Sequence, residues 1–238
     1  MQYRNYIFDL YGTLADILTD EEKPSLWRTA AEHYSLFGAK YGAAELKCEY
    51  LSLCSREQAQ SPEPLYEIEL RNVFAALFSR KGVTPDENLV ERTAVLFREA
   101  STLKLRLYPW VVPVLERIRR GGSGVFLLSN AQACFTLYEL EKLGISGLFD
   151  GIVLSSDIGL KKPHPGIMTA LLERYGLSPS ECLMTGNDRS ADIAVAKAFS
   201  MPSLYIRTET SFEEKGQPRG DIEFLDGDFS KLPALLKL

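Results

Sequence analysis

Histidine is nearly absent from this 238-residue chain: only His33 and His164 occur. A catalytic triad or a metal centre built on imidazole is therefore not expected. Cysteine is also sparse. Cys48, Cys54, Cys134 and Cys182 form no CxxC pair and no Cys/His cluster with zinc spacing, so they read as buried free thiols in a reducing compartment. No apolar run approaches the length of a membrane-spanning helix. The opening segment, MQYRNYIFDLYG, is too short for a signal-peptide core and is interrupted by Asp9. Excess positive charge is lacking too. With 27 Lys and Arg against 32 Asp and Glu, the net charge is -5 and the pI about 5.3, which gives no electrostatic case for nucleic acid. The longest basic run, Arg117 to Arg120, is broken by Ile118 and reads as a helix end. Internal repeats and low-complexity tracts are absent. The expectation is a cytoplasmic protein with neither membrane nor nucleic-acid partners.

What is present suits a globular protein: 45% hydrophobic and 25% charged residues, in a chain long enough to bury a core without staples. Tyr6 to Leu10 reads as a strand. From about residue 20 to 103 the pattern is helical with few strand candidates. One apolar stripe runs through Leu26, Trp27, Ala30, Tyr34 and Phe37, and another through Leu70, Val73, Phe74, Leu77 and Phe78. Thr84-Pro85-Asp86-Glu87 reads as a helix start, with Thr84 as N-cap and Pro85 in the first turn. From Leu105 onward strands and helices alternate. Strands are expected at Val125 to Leu128, Gly151 to Leu154, Cys182 to Met184, Ser203 to Ile206 and, last, Ile222 to Phe224. Helices are expected at Val111 to Arg120, Cys134 to Leu143, Pro165 to Tyr175 and Ala191 to Phe199, with a turn at Ser178 to Glu181. This is the pattern of a parallel sheet covered on both faces, an α/β fold with a helical insertion after its first strand.

Ligands of open parallel sheets bind beyond the carboxyl ends of the strands. Four polar groups fall there: Asp9 with Thr13, Ser129 with Asn130, the pair Lys161-Lys162, and Asn187, Asp188 and Asp192. Taken singly, each has a plain structural reading. Asp9 could merely end a strand, Ser129-Asn130 could be a turn, and a lysine could be solvated. Asp188 could cap a helix, with Asp192 bonding Lys162 from the helix face.

These segments carry a family resemblance. Phe8-Asp9-Leu10-Tyr11-Gly12-Thr13-Leu14 resembles the first signature of the haloacid dehalogenase superfamily. Leu127-Leu128-Ser129-Asn130 is similar to its second, Lys162-Pro163-His164-Pro165 to its third, and Met184-Thr185-Gly186-Asn187-Asp188 through Asp192 to its acidic fourth. The resemblance implies a Rossmann-like core, residues 1–15 and 106–238, with an all-helical cap domain over 16–105. It implies that Asp9 is a nucleophile forming a covalent aspartyl intermediate. Thr13 and Ser129, with backbone N–H groups near Asn130 and Ala131, would bind substrate oxygens, and Tyr11 and Asn130 would also contact substrate. Lys162, chosen over Lys161 because the family's lysine directly precedes proline, would offset negative charge. Mg²⁺ would be held by Asp9, the carbonyl of Tyr11, Asp188 and Asp192. His164 is treated as a loop residue.

The implied activity is Mg²⁺-dependent hydrolysis of a small anionic phosphate monoester. One departure stands out: the second aspartate that family phosphatases use as acid is Tyr11 here. That feature is similar to the 2-haloacid dehalogenases, whose metal-free chemistry is the alternative. Against it stand Met168, where dehalogenases carry tyrosine, the acidic fourth motif, and the lack of a matching early-cap arginine among Arg28, Lys40 and Lys47. A weak homologue that binds a phosphorylated ligand is a further alternative. Asp16 and Asp20 are open as replacements for the missing acid. Trp27, Tyr34, Phe37 and Tyr41 read as packing rather than as a base-stacking platform. Substrate identity and oligomeric state are left open.

Overall fold

The computed structural model describes residues 3–212 and 214–238. Its centre is a six-stranded, wholly parallel sheet in the order β5-β4-β1-β6-β7-β8. The strands are β1 (Asn5–Phe8), β4 (Gly124–Ser129), β5 (Gly151–Leu154), β6 (Cys182–Gly186), β7 (Ser203–Ile206) and β8 (Ile222–Phe224), while β2 (Ala15–Thr19) and β3 (Thr102–Leu107) form a separate antiparallel ribbon. Side chains alternate across a strand, so a strand covered on both faces must be apolar throughout. In β1, Tyr6 and Phe8 enter one core and Ile7 the other. In β4, Val125 and Leu127 face the first core, and Phe126 and Leu128 the second.

The helices that cover the sheet are α5 (Val111–Arg120), α6 (Ala133–Lys142), the short α7 (Ser155–Ile158), α8 (Pro165–Tyr175) and α9 (Ala194–Ala198). Between β2 and β3 the chain makes α1 (Pro24–Leu36), α2 (Ala43–Gln58), α3 (Leu70–Ser79) and α4 (Glu87–Ser101). Their apolar stripes meet in a third core that includes Trp27, Tyr34, Phe74 and Phe97. Trp27, Tyr34 and Tyr41 are buried packing residues, and Phe37, more exposed, sets its ring edge-on to Phe78. The same cluster takes in Cys134 and Phe135 of α6. Phe135 stacks on Phe97 with ring planes 11° apart, so the insertion and the sheet domain share a packed seam. Among the described residues no helix is long and apolar enough to cross a membrane.

Several local expectations need correction. Strands β2 and β3 were not anticipated, although Leu103, Leu105 and Leu107 alternate with Lys104 and Arg106; only pairing with the distant β2 makes that alternation a strand. Helix α4 is capped by Asp86, which accepts from the Leu89 N–H at 2.7 Å, not by Thr84. The helix expected from Ala191 begins earlier, as a π-turn over Arg189–Ile193. His164 is the N-cap of α8, its Nδ1 accepting from the Gly166 N–H. Of the four free cysteines, only Cys134 and Cys182 are buried; Cys48 is exposed and Cys54 half-buried.

Candidate active site

Strand β1 lies between β4 and β6, with Phe8 level with Leu127 and Thr185. The residues that follow these strands therefore meet at one mouth. Asp9 is held there by a backbone bond to the Thr185 carbonyl at 2.9 Å. Asp9 Oδ1 accepts from Lys162 Nζ at 2.8 Å and Ser129 Oγ at 2.9 Å; among the described residues Oδ2 has only the Thr13 hydroxyl, at 3.2 Å. The second oxygen is thus the freer one. A cavity of about 380 Å³ opens in front of it, also bounded by Asn187, Asp188, Thr210 and Phe212.

Lys162 is 3% exposed. Besides Asp9, its ammonium donates to Asp192 Oδ1 at 2.6 Å and to the Leu128 carbonyl at 2.8 Å, which uses its three donors. Burial is the largest influence on this group and pushes its pKa down. The combined charges and hydrogen bonds of Asp192 and Asp9 outweigh it, and the pKa lies above the usual lysine range. Burial, reinforced by the Asp9 charge, lifts the Asp192 carboxyl despite the pull of Lys162. Lysine 162 rather than 161 fills this place. Its backbone is clamped by Asn130, whose Oδ1 accepts from Lys162 N at 2.7 Å and whose Nδ2 donates to Lys162 O at 3.0 Å.

The acidic segment after β6 behaves as its structural reading described. Asp188 caps the π-turn, Oδ1 accepting from the N–H groups of Ser190 and Ala191 at 2.7 and 3.1 Å. Asp192, expected as a metal ligand, has both oxygens in use: one on Lys162, the other on the Asp188 N–H at 2.9 Å. Gly186 makes this possible, since a Cβ there would lie 2.1 Å from Asp192 Oδ2. Among the described residues, no three His, Cys, Asp or Glu side chains gather as a metal cluster. Among the described residues, the carboxylates left facing the cavity are those of Asp9 and the exposed Asp188. One or two carboxylates with retained water is the donor set that suits Mg²⁺ rather than an all-protein cage. Replacing Asp188 with alanine should remove the cap and cost about 1 kcal/mol. Asp188→Asn keeps the acceptor and should melt like wild type; thermal melts without added metal check both.

Other expected site residues are placed differently. Thr13 and Ser129 donate to Asp9, and Thr13 also lies 3.0 Å from Asn187 Oδ1. The Ala131 N–H, expected to face substrate, is taken by Ser155 Oγ at 2.8 Å. Tyr11 points its hydroxyl at α6, donating to Glu139 and lying 3.0 Å from Thr136 Oγ1. Burial, then the Glu139 charge, pushes this phenol well above its ordinary pKa. Asp16 is tied to Lys104 and Arg106 in the ribbon, and Asp20 binds the backbone N–H groups of Glu22 and Lys23, so neither replaces the missing acid.

Sequence reasoning missed Asn187 as a partner of Thr13, the wall formed by Thr210 and Phe212, and the Arg98–Glu139 pair behind Tyr11. Gly12 was a usable signal. It has φ +83°, and a Cβ there would lie 2.4 Å from Asn187 Nδ2 and 2.5 Å from Thr210 Oγ1. Only glycine admits that approach.

Comparison with known proteins gives a consistent picture. The model of the haloacid dehalogenase-like hydrolases matches residues 3–200. A glyceraldehyde 3-phosphate phosphatase of Methanopyrus kandleri is 29% identical over 163 residues, 68% of this chain and 69% of that protein. A phosphoglycolate phosphatase of Yersinia pestis is 34% identical over 127 residues, 52% of this chain and 54% of that protein. Among solved structures, a 2-haloacid dehalogenase of Pseudomonas syringae pv. tomato superposes with a TM-score of 0.68 over 99% of this chain and 98% of its own, at 21% identity. That likeness concerns the fold.

Proposed function

Because the chain belongs to the haloacid dehalogenase-like hydrolases, we propose that it is a phosphatase that releases phosphate from a small phosphorylated metabolite through an aspartyl-phosphate on Asp9. The observation that carries this reading is the ammonium of Lys162 bridging Asp9 and Asp192 at 2.8 and 2.6 Å. A buried cation placed between a nucleophile and a spectator carboxylate lets an anionic nucleophile receive an anionic substrate. The phosphatase relatives point the same way.

In the first step Asp9 Oδ2 bonds to phosphorus while the ester P–O bond breaks. The leaving oxygen takes its proton from water, because the Tyr11 hydroxyl is committed to Glu139. In the second step water attacks phosphorus, phosphate leaves and the Asp9 carboxylate is restored. Thr13 and Ser129 hold Asp9 before substrate arrives, and their hydroxyls can turn to phosphoryl oxygens afterwards. Asp9, the Tyr11 carbonyl and Asp188 would hold Mg²⁺, with Asp192 retained by Lys162; when bound, the ion neutralises phosphoryl charge. The helical insertion would act as a cap that excludes water. Unpaired thiols fit a reducing compartment, and we assign the enzyme to the cytoplasm.

Phosphate release from an activated aryl phosphate tests the reading. EDTA should abolish it and Mg²⁺ restore it, and Asp188→Asn should raise the Mg²⁺ concentration needed for half-maximal rate. Activity untouched by EDTA would remove the metal from the proposal. Tyr11 favours a second reading, a 2-haloacid dehalogenase, whose signature would be chloride release from 2-chloropropionate without metal.

A further inference from the structure

A second cavity, about 450 Å³, lies where the helical insertion meets the sheet domain. It shares Tyr11 and Asn130 with the cavity at Asp9. The two cavities therefore adjoin across Tyr11 and Asn130, and the seam is space within reach of the leaving group of a phosphoryl group bound at Asp9. Among the described residues lining the seam, Arg98 is the one cation, and Glu21 and Glu67 are the charged residues of opposite sign.

Arg98 is already engaged. Its Nε donates to Glu139 Oε1 at 2.7 Å and Nη2 to Oε2 at 3.4 Å. Its guanidinium carbon lies 5.1 Å from the Phe135 ring centre and 5.6 Å from that of Tyr11. Glu139 is buried, with its side chain 2% exposed, and also accepts from the Tyr11 hydroxyl. One buried carboxylate on α6 thus neutralises the seam's cation and occupies the phenol beside the nucleophile. Glu67 accepts from Ser155 at 2.8 Å and Gln132 at 3.3 Å, so its charge stays in the wall. A leaving group bearing a carboxylate would meet two carboxylates and an arginine already paired. Neutral hydroxyls would find acceptors there instead.

We propose that Glu139 determines the substrate class of this site: by holding Arg98 and Tyr11 it restricts the leaving group to an uncharged, hydroxyl-bearing alcohol and rejects carboxylates. This rests on the phosphatase reading above. Glu139 acts through Arg98 and is a positioning residue.

The test compares glyceraldehyde 3-phosphate, whose leaving alcohol is uncharged, with phosphoglycolate, whose leaving alcohol, glycolate, bears a carboxylate, in the full chain. The wild-type ratio of kcat/KM should favour the neutral ester by ~10-fold or more. Glu139→Gln frees the charge of Arg98 and should shrink that ratio at least about fivefold, mainly through a lower KM for phosphoglycolate. A ratio of two substrates on one enzyme does not depend on the fraction folded. Calorimetric binding of both esters to the Asp9→Asn protein should show the same preference without turnover. Phosphate release with phosphoglycolate equal or preferred overturns this proposal and leaves the phosphatase standing, as does a ratio unchanged by Glu139→Gln. Neither ester bound nor turned over also overturns this proposal; chloride release from 2-chloropropionate with no phosphate release from either ester or from the aryl phosphate overturns both.

Discussion

The Asp9→Asn enzyme is expected to release phosphate at less than about a thousandth of the wild-type rate, since it removes the group that forms the covalent intermediate. Its fold should be intact, for reasons visible in the site. The amide oxygen can still accept from Lys162 and Ser129, and the amide N–H can donate to Thr13, whose own hydroxyl then serves Asn187 Oδ1. The buried triad of Asp9, Lys162 and Asp192 carries one excess negative charge; the substitution leaves a neutral Lys162–Asp192 pair. The melting temperature should therefore match or exceed that of wild type. Phosphate release and a thermal melt on the same preparation suffice. Turnover within tenfold of wild type would dismiss Asp9 as nucleophile.

The second large effect concerns stability. Lys162→Met should cost roughly 3–5 kcal/mol, because it strands two buried carboxylates without a counter-charge, and lower the melting temperature by roughly 6–20 °C. The loss should depend on pH. With the lysine gone, burial and the Asp9 charge raise the Asp192 pKa in the folded state, and of the groups that lower it the Asp188 N–H is left. The folded state then binds more protons than the unfolded state, so stability rises as pH falls. The deficit against wild type should be larger at pH 8 than at pH 5. Adding Asp192→Asn to Lys162→Met should restore much of the lost stability. Denaturant melts of the single and double variants at both pH values measure this. A single variant as stable as wild type at pH 8 would show that the ammonium does not hold the two carboxylates together.

The two predictions use residues of different legibility. Asp9, Ser129 and Lys162 were readable because each follows an apolar strand or precedes a proline in a recognisable pattern, and a parallel sheet must bring strand ends to one mouth. The apolar run Tyr6–Phe8 marks a strand buried on both sides, as its division between two cores shows. For Asp188 and Asp192 two roles were consistent with the same spacing. The π-turn decides between the structural contacts actually made, because it aims Asp192 at Lys162 and leaves Asp188 on the cavity rim.

The amino-acid sequence by itself determined the α/β class and the helical insertion, and it singled out Asp9 and the lysine that lies beside it. These depend on local periodicity and on short motifs whose residues are close along the chain. Only the tertiary structure decided what Tyr11, Arg98 and Glu139 do. They sit on a strand-end loop, an insertion helix and a sheet-domain helix, and none has a local pattern that names its partner. Their charges and hydrogen bonds acquire meaning only when packing at the Phe97–Phe135 seam brings the three elements together. Side-chain periodicity reports which face of an element is buried; it carries no information about which distant polar group will be waiting there.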